Sequence, residues 1–217
     1  MPDLTLDKLK PAPAEKIKPF LDEILSKYEE KIHSIHITGS AVTDDFDPKS
    51  SDVNSIFVLK EMDLKFLELL APLGKKYGRT RVAAPLIMTP GYINSSLDVF
   101  PVEFLNYKLL HHTVFGEDIL ENIEIKTSDL RHQCEREIKA KLIWLRQGYI
   151  SSLGNRKMLS QGFADSISGY IPLFRGLILL FKKQPPAGQE DVIKTLAEIT
   201  GVNTDVFVKV LNEKRKK

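Results

Sequence analysis

The sequence predicts an α+β fold in which strands and helices alternate in the first part and only helices follow. Up to about residue 122, segments with the two-residue alternation of a strand are interspersed with segments of helical spacing. From about residue 128 onward, apolar residues recur only at helical spacing. We therefore predict an α/β domain over residues 1–125 and a C-terminal helical bundle over residues 126–217.

The elements of the first domain follow from the spacing of apolar residues and from turn residues between them. In chain order they are a helix at 14–32, strands at 33–39 and 53–59, a helix at 63–78, a strand at 80–88, a short helical turn at 92–100 and a strand at 102–110. Pro85 indicates that the strand at 80–88 lies at a sheet edge or a bulge, because proline has no N–H to donate to a neighbouring strand.

The second domain is predicted to contain helices only. They cover residues 128–153, 161–183, 188–201 and 204–214. Pro172 is expected to kink or divide the second of them, since proline removes a helical hydrogen bond. The first carries one continuous apolar stripe, formed by Leu130, Cys134, Ile138, Leu142, Leu145 and Tyr149.

Composition and charge exclude several classes of protein. The chain has 217 residues, 42% hydrophobic and 28% charged, which is typical of a globular protein with a sizeable core. A net charge of +2 is too small to indicate a nucleic-acid-binding surface. A single cysteine, Cys134, excludes an internal disulfide and a cysteine zinc cluster.

No segment of the sequence predicts secretion or membrane insertion. The first twenty residues carry charges and lack the apolar core of a signal peptide. The most apolar run, around residues 167–181, is interrupted by Arg175 and is too short to span a bilayer. We expect a cytoplasmic protein without a membrane partner.

One stretch combines a turn and an acid in the manner of a phosphate site. Gly39 and Ser40 end a predicted strand, and Asp52 opens the next one. A glycine turn lets backbone N–H groups and a hydroxyl approach phosphates, because no Cβ intervenes. Acids at alternate positions of a strand share one face and can hold Mg²⁺, which prefers oxygen ligands.

This stretch resembles the DNA polymerase β-like nucleotidyltransferase superfamily. The signature of that superfamily is Gly-Ser or Gly-Gly, a spacer of about ten residues, and Asp-x-Asp or Asp-x-Glu on a strand. The corresponding residues are Gly39, Ser40, Asp52 and Asn54. The resemblance implies a mixed β-sheet flanked by helices, and transfer of a nucleoside monophosphate from an NTP to a hydroxyl or phosphate acceptor with Mg²⁺. The acceptor is left open between a small molecule, such as an aminoglycoside, and a protein side chain.

The resemblance also implies a third carboxylate on an adjacent strand. We assign it to Glu103, with Asp98 as the alternative. On this reading Gly39 and Ser40 bind the β- and γ-phosphates, and Asp52 and Glu103 hold Mg²⁺.

Asn54 departs from the signature, because it stands where the superfamily has its second acid. An amide oxygen can coordinate Mg²⁺ but supplies no charge, and even loss of an outer-shell partner costs about 10 to 100-fold in metal affinity or activity. Two hypotheses follow: a weak nucleotidyltransferase, and a catalytically silent module that binds nucleotide or a partner protein, with a homodimer through the bundle as one form.

Other polar residues are given weaker roles. Arg175 lies in an apolar segment, so its guanidinium needs a carboxylate or phosphate partner. That partner is either Asp165 or another acid of the bundle, or else a triphosphate or an acidic acceptor. The acids of residues 44–47 are assigned to a loop braced by Asp and Ser side chains, not to a calcium site. The histidines at 33, 36, 111 and 112 are expected to lie on the surface or on edge strands, without a metal.

Overall fold

The computed structural model describes residues 4–215, which form an α+β structure. The helices are α1 (Pro11–Tyr28), α2 (Leu64–Tyr77), α3 (Pro90–Ser96), α4 (Pro101–Leu109), α5 (Thr127–Ser151), α6 (Arg156–Ser166), α7 (Ile171–Leu180), α8 (Gln189–Thr200) and α9 (Asp205–Arg215). The strands are β1 (Ile32–Thr38), β2 (Asn54–Leu59), β3 (Leu86–Met88) and β4 (His111–Gly116). The predicted fold class, a mixed sheet with flanking helices followed by a helical part, is confirmed.

The four strands form one mixed sheet in the order β3-β2-β1-β4. Strand β1 is antiparallel to both β2 and β4, whereas β2 and β3 are parallel. Every residue of β1 except His33 is buried, as expected for a central strand covered on both faces. Of the strand predicted at 80–88, only Leu86–Met88 forms a strand, because Thr80 ends a 3₁₀ turn and Arg81 is left-handed. This strand, β3, lies at the edge of the sheet directly after Pro85, as expected from that proline.

The chain divides into two compact units. Within the described residues, the first unit contains the chain up to Leu97 together with Tyr107–Glu124. The second contains Asp98–Asn106 and the chain from Ile125 onward. The sheet and helices α1 to α3 belong to the first unit, and α5 to α9 belong to the second.

The core of the first unit lies between α1, α2 and the sheet. Helix α1 begins with Pro11, whose fixed φ suits the first turn, and it buries Ile17, Phe20 and neighbouring apolar residues at helical spacing. The Phe20 ring meets the Phe57 ring of β2 edge-on at 6.1 Å. Full burial of side chains of this size contributes about 1.5–3 kcal/mol each, so this face holds the sheet and helices together.

The core of the second unit is formed by helices α7, α8 and α9. It consists of Ile171, Phe174, Ile178, Val192, Ile193, Leu196 and Leu211. Helix α7 also approaches α5 closely at Gly176, where an added Cβ would lie 2.7 Å from the Cys134 Sγ atom. A larger residue at this position would therefore push the two helices apart.

Residues 102–110 were predicted as a strand, and this prediction is wrong. They lie in α4 and the residue after it, and the strand follows at His111–Gly116. The buried residues of α4 are Pro101, Val102, Phe104 and Leu105, which share a helical face. The segment contains only one β-branched residue and directly follows Pro101, and both features favour a helix start over a strand.

The helix expected around Pro172 is divided, as predicted. Helix α6 ends at Ser166, a 3₁₀ turn covers Ile167–Gly169, and Pro172 lies in the first turn of α7. In the described part of the chain, no single helix has the length and hydropathy of a membrane span. The stretches Arg156–Gly169 and Ile171–Leu180 reach that composition only as a pair bent by 54°.

Candidate functional site

The glycine turn after β1 has the backbone conformation that the phosphate hypothesis requires. Gly39 has φ +74°, a value that L-residues with a side chain rarely adopt. A 3₁₀ turn then covers Gly39–Val42, and it is closed by a hydrogen bond from the Thr43 N–H to the Ser40 carbonyl at 3.0 Å. The Gly39 N–H itself donates to the Leu110 carbonyl at 3.0 Å. Any contact of this turn with a phosphate therefore falls to Ser40 and the residues after it.

Asn54 lies beside this turn. It is the first residue of β2 and pairs with Thr38, the last residue of β1. Its Nδ2 atom is 3.9 Å from the point where a Cβ of Gly39 would be. The antiparallel pairing of β1 and β2 therefore brings the exposed amide of Asn54 to the glycine turn, as the predicted motif requires.

Asp52 precedes β2 and makes an ion pair. Its Oδ1 atom is 3.3 Å from Nη1 of Arg81, and its side chain is 56% exposed. The same Nη1 donates to the Ser50 carbonyl at 3.0 Å, and the Val53 N–H donates to the Arg81 carbonyl at 2.8 Å. Arg81 is thus tied to the Asp52 loop through both its side chain and its backbone, and it places a cation next to the carboxylate.

Glu103 and Asp98 do not lie on a strand, contrary to the expectation for the third acid. Glu103 is in the first turn of α4, and its Oε2 atom accepts a hydrogen bond from Gln133 Nε2 at 2.7 Å. Gln133 Oε1 in turn accepts the Val102 N–H at 2.8 Å, so Gln133 caps the start of α4. Asp98 is exposed in the turn before α4. Both acids belong to the second unit, whereas Asp52 belongs to the first.

Arg175 is buried, with 4% of its surface exposed, and three of its hydrogen bonds go to neutral oxygens. It donates to the Asn106 Oδ1 atom at 3.0 Å, to the Pro186 carbonyl at 3.2 Å and to the Ala187 carbonyl at 2.6 Å. These contacts join α7 to α4 and to the loop before α8. They give Arg175 a structural role in the second unit.

The donor set around Asp52 does not complete a magnesium site within the first unit. In the described residues of that unit, Asp52 belongs to no group of three or more potential metal ligands. The nearby acids at 44–47 serve the loop instead: Asp44 pairs with Lys10 at 2.7 Å, and Asp47 accepts the Lys49 N–H at 2.9 Å. The predicted braced loop is confirmed.

A cluster of two histidines and an aspartate lies where β1 pairs with β4, and the sequence did not predict it. One ligand atom each from His36, His111 and Asp118 lie within 4.8 Å of one another. We call these residues the histidine–aspartate cluster. His36 is fully buried on the central strand, which contradicts the surface or edge position expected for it. The close approach follows from the pairing of β1 with β4, in which Thr38 lies opposite His111.

Hydrogen bonds fix the orientation of both rings in the cluster. The Nδ1 atom of His36 is 2.8 Å from Thr113 Oγ1, and its Nε2 atom is 2.9 Å from Ser34 Oγ. The Nδ1 atom of His111 faces the Tyr107 carbonyl at 2.8 Å, and its Nε2 atom faces Asp118 Oδ1 at 2.8 Å. The cluster is therefore an ordered polar network inside the first unit.

The surroundings shift the titration of two members. Burial, reinforced by His111, lowers the pKa of His36 to about 4, so its ring is neutral at pH 7. Burial alone would raise the pKa of Asp118, but hydrogen bonds from His111, Thr113 and the Glu121 amide hold that pKa below its ordinary value. Asp118 is thus an anion that lies near the neutral ring of His36 and is hydrogen-bonded to the ring of His111.

Comparison with known proteins gives a structural likeness. No protein-family model and no curated protein matches the sequence. Among solved structures, the chain is similar to the spectinomycin adenyltransferase AAD(9) from Enterococcus faecialis, crystallised with ATP and spectinomycin. The TM-score is 0.45 and the sequence identity is 15%, over 94% of this chain and 99% of that chain.

Proposed function

We propose that this protein binds a nucleoside triphosphate at the Gly39–Ser40 turn and is a nucleotidyltransferase-like protein. The observation that carries the proposal is local: a left-handed glycine ends β1, and Asn54 and the Asp52 loop flank it in the order of the superfamily motif. Within the described part of the first unit, the Ser40 hydroxyl has no protein partner, which leaves it available to a phosphate oxygen. Arg81 adds a half-exposed guanidinium beside Asp52.

The reaction consistent with this site is transfer of a nucleoside monophosphate. An oxygen of a hydroxyl or phosphate acceptor forms a bond to the α-phosphorus, and the bond from that phosphorus to the bridging oxygen breaks. Pyrophosphate leaves, and the acceptor proton passes to a base or to water. Mg²⁺ would neutralise the phosphates in such a reaction, and Asp52 is the carboxylate of the first unit proposed to hold it. The acceptor is a small molecule or a protein side chain.

A catalytically silent nucleotide-binding module is the second candidate, and two observations favour it. Asn54 supplies no negative charge at the position beside the turn. Asp52 is paired with a guanidinium at 3.3 Å, and a metal ion would have to compete with that cation. Both features weaken metal binding and leave phosphate binding by the turn intact.

An assay of binding and turnover separates the two candidates. NTP binding and pyrophosphate release are measured with Mg²⁺ and with Mn²⁺, for the natural chain, Asp52→Ala and Asn54→Asp. Release by the natural chain that is abolished in Asp52→Ala supports the transferase. Release only by Asn54→Asp supports the silent module.

Matched controls use residues of the same type outside the turn. Asp22→Ala removes an exposed carboxylate from α1, where it pairs with Lys18, and Asn94→Asp adds a carboxylate to an exposed position of α3. Neither should change NTP binding or pyrophosphate release. If no form of the protein binds an NTP, the phosphate-site proposal is wrong in both versions.

We further propose that a second copy of the chain covers the C-terminal half of α5. The apolar stripe of this helix is buried at Leu130 and Cys134, but its continuation is exposed at Ile138, Leu142, Leu145 and Tyr149. These last positions are spaced four, three and four residues apart, which is the spacing of a coiled-coil seam. Trp144, 65% exposed, lies next to this seam.

An exposed apolar seam of this kind is typical of a helix that packs against another helix. Sedimentation should therefore show a dimer for the natural chain and a monomer for Leu142→Lys with Leu145→Lys. Gln147→Lys adds a charge at an exposed position of the same helix that lies neither in the seam nor beside it, so it should leave the dimer intact. A natural chain that sediments as a monomer at all concentrations rules out the dimer.

A further inference from the structure

The histidine–aspartate cluster contains a ligand set that the nucleotide site does not use. Two imidazoles and one carboxylate are the donors that many proteins use for zinc and related divalent transition metals. The three residues come from two strands and the loop after β4, all within the first unit. The side chain of His111 is 8% exposed and that of Asp118 is 34% exposed, so the cluster is enclosed on the strand side and reachable from the Asp118 side.

The hydrogen bonds of His111 match those of a metal-binding histidine. Its Nδ1 atom faces the Tyr107 carbonyl at 2.8 Å and the Lys108 carbonyl at 3.1 Å, and both are acceptors, so Nδ1 carries a proton. Metal-ligating histidines usually donate their second ring N–H in this way, to a backbone carbonyl or a carboxylate. The Nε2 atom is thereby directed at Asp118, at 2.8 Å from Oδ1 and 3.0 Å from Oδ2.

Between His111 Nε2 and Asp118 there is room for a proton or a metal cation. A bare nitrogen lone pair opposite a carboxylate would be repulsive, so either a proton or a metal cation lies between them. A divalent cation would replace that proton and would gain His36 as a further ligand.

The distances allow a metal after small side-chain rotations. Ligand atoms about 2.1 Å from a tetrahedral zinc ion lie about 3.4 Å from one another. The His111–Asp118 pair would have to open by about 0.6 Å to reach that spacing, and the cluster's widest separation of 4.8 Å would have to close. His36 can release one ring nitrogen and keep a hydrogen bond on the other, since its partners are the hydroxyls of Ser34 and Thr113, which both donate and accept.

We propose that His36, His111 and Asp118 bind one divalent transition-metal ion of the zinc type, with a water molecule completing the coordination. The nitrogen donors exclude a preference for Mg²⁺ or Ca²⁺, which take oxygen ligands. Thr113, Ser34 and the Tyr107 carbonyl orient the ligands from the second layer. This site is independent of the nucleotide proposal, because it uses none of the residues of the Gly39–Ser40 turn.

Calorimetric titration of the full chain with Zn²⁺, after treatment with a chelator and without nucleotide, tests the proposal. One ion should bind per chain, and Mg²⁺ should not compete. His111→Gln, Asp118→Asn and His36→Gln should each weaken Zn²⁺ binding on the order of 100-fold, as loss of a direct ligand should cost at least as much as loss of an outer-shell partner. His132→Gln removes an exposed histidine of α5 and should bind Zn²⁺ like the natural chain.

A visible absorption spectrum of the unsubstituted protein with Co²⁺ tests the site even if the variants fail to fold. Co²⁺ added to the natural chain should give the intense visible absorption of a four-coordinate ion with nitrogen ligands, and Zn²⁺ should displace it. Absence of that spectrum together with absence of Zn²⁺ binding would overturn the proposal. So would Zn²⁺ binding that survives all three cluster substitutions and is lost in His132→Gln.

Discussion

Replacement of Gly116 by alanine tests the pairing of β1 with β4, which creates the histidine–aspartate cluster. Gly116 is the last residue of β4, lies opposite Ser34 and has φ +73°. A Cβ added there would be 2.1 Å from the His33 carbonyl oxygen and 2.9 Å from the Ser34 Cα atom. Both obstructing atoms are backbone atoms of β1, so the strands themselves have to separate, by about 1 Å or more, to reach ordinary contact distances.

The cost has two parts. The left-handed conformation costs an alanine roughly 1 kcal/mol more than a glycine. Separation of the strand ends would also weaken about two ladder hydrogen bonds, at about 1 kcal/mol each. We therefore expect Gly116→Ala to lower the free energy of unfolding of the first unit by about 3 kcal/mol.

Gly201 provides a matched control for the backbone part of this cost. It ends α8 with φ +68°, and an added Cβ would meet nothing within 4 Å. Gly201→Ala should therefore lower the stability of the second unit by only about 1 kcal/mol. Gly78→Ala, at a glycine without positive φ and with no atom within 4 Å of an added Cβ, should be neutral or slightly stabilising.

Urea denaturation followed by circular dichroism measures the overall loss. Hydrogen exchange assigns it, because the amides of β1 report on the first unit and those of α8 report on the second. Equal losses for Gly116→Ala and Gly201→Ala would refute the reasoning, since they would mean that β4 does not approach β1 as closely as described. A normal exchange rate for the β1 amides in Gly116→Ala would do the same.

Three further predictions concern buried polar groups. Burial and the neighbouring cluster lower the pKa of His36 to about 4, so the unfolded chain takes up a proton first. In the presence of a chelator, stability should fall by about 3 kcal/mol as the pH drops from about 6.5 to about 4, and His36→Gln should remove most of this dependence in pH-resolved urea titrations. Burial raises the pKa of the Cys134 thiol to about 11, so a disulfide reagent should modify it slowly in the native protein and rapidly in urea; fast native reaction would contradict its burial. Arg175→Lys loses the fork that reaches Asn106 and the Ala187 carbonyl, and it should destabilise the second unit by about 2 kcal/mol. Arg156→Lys, at an exposed position, should have no measurable effect in the same denaturation assay.

Local patterns predicted most of the secondary structure. The helices at α1, α2 and α5 to α9 and the strands β1, β2 and β3 follow from apolar spacing, because a helix or strand that covers a core must repeat with its own period. The strand predicted at 102–110 is a helix. The prediction was wrong because the segment is too short for its period to be read from the sequence. Nine residues hold too few apolar positions to distinguish the two periods, and the local signals for a helix were Pro101 and the lack of β-branched residues other than Val102.

Some contacts of the candidate sites could be predicted from the sequence, and others could not. The Gly39–Ser40 turn and Asn54 are fifteen residues apart, joined by one antiparallel pair, so sequence order was enough to predict their proximity. The sequence did not predict that Arg81 pairs with Asp52. Arg81 lies in the turn after α2, and its left-handed backbone conformation is part of the geometry that brings it to Asp52. The sequence also did not predict that Arg175 donates to an amide oxygen and to backbone carbonyls, since such acceptors leave no charge pattern in a sequence.

The sequence by itself determined the change from mixed strands and helices to helices alone near residue 125, and the glycine turn after the first strand, because each of these depends on residues close together in the chain. Only the tertiary structure decided that His36 meets His111 and Asp118, across more than seventy residues. That meeting depends on the register of β1 against β4, and a shift of one residue would turn each side chain to the opposite face of the sheet. Register is set by the packing of the whole unit, which no single segment of the sequence contains.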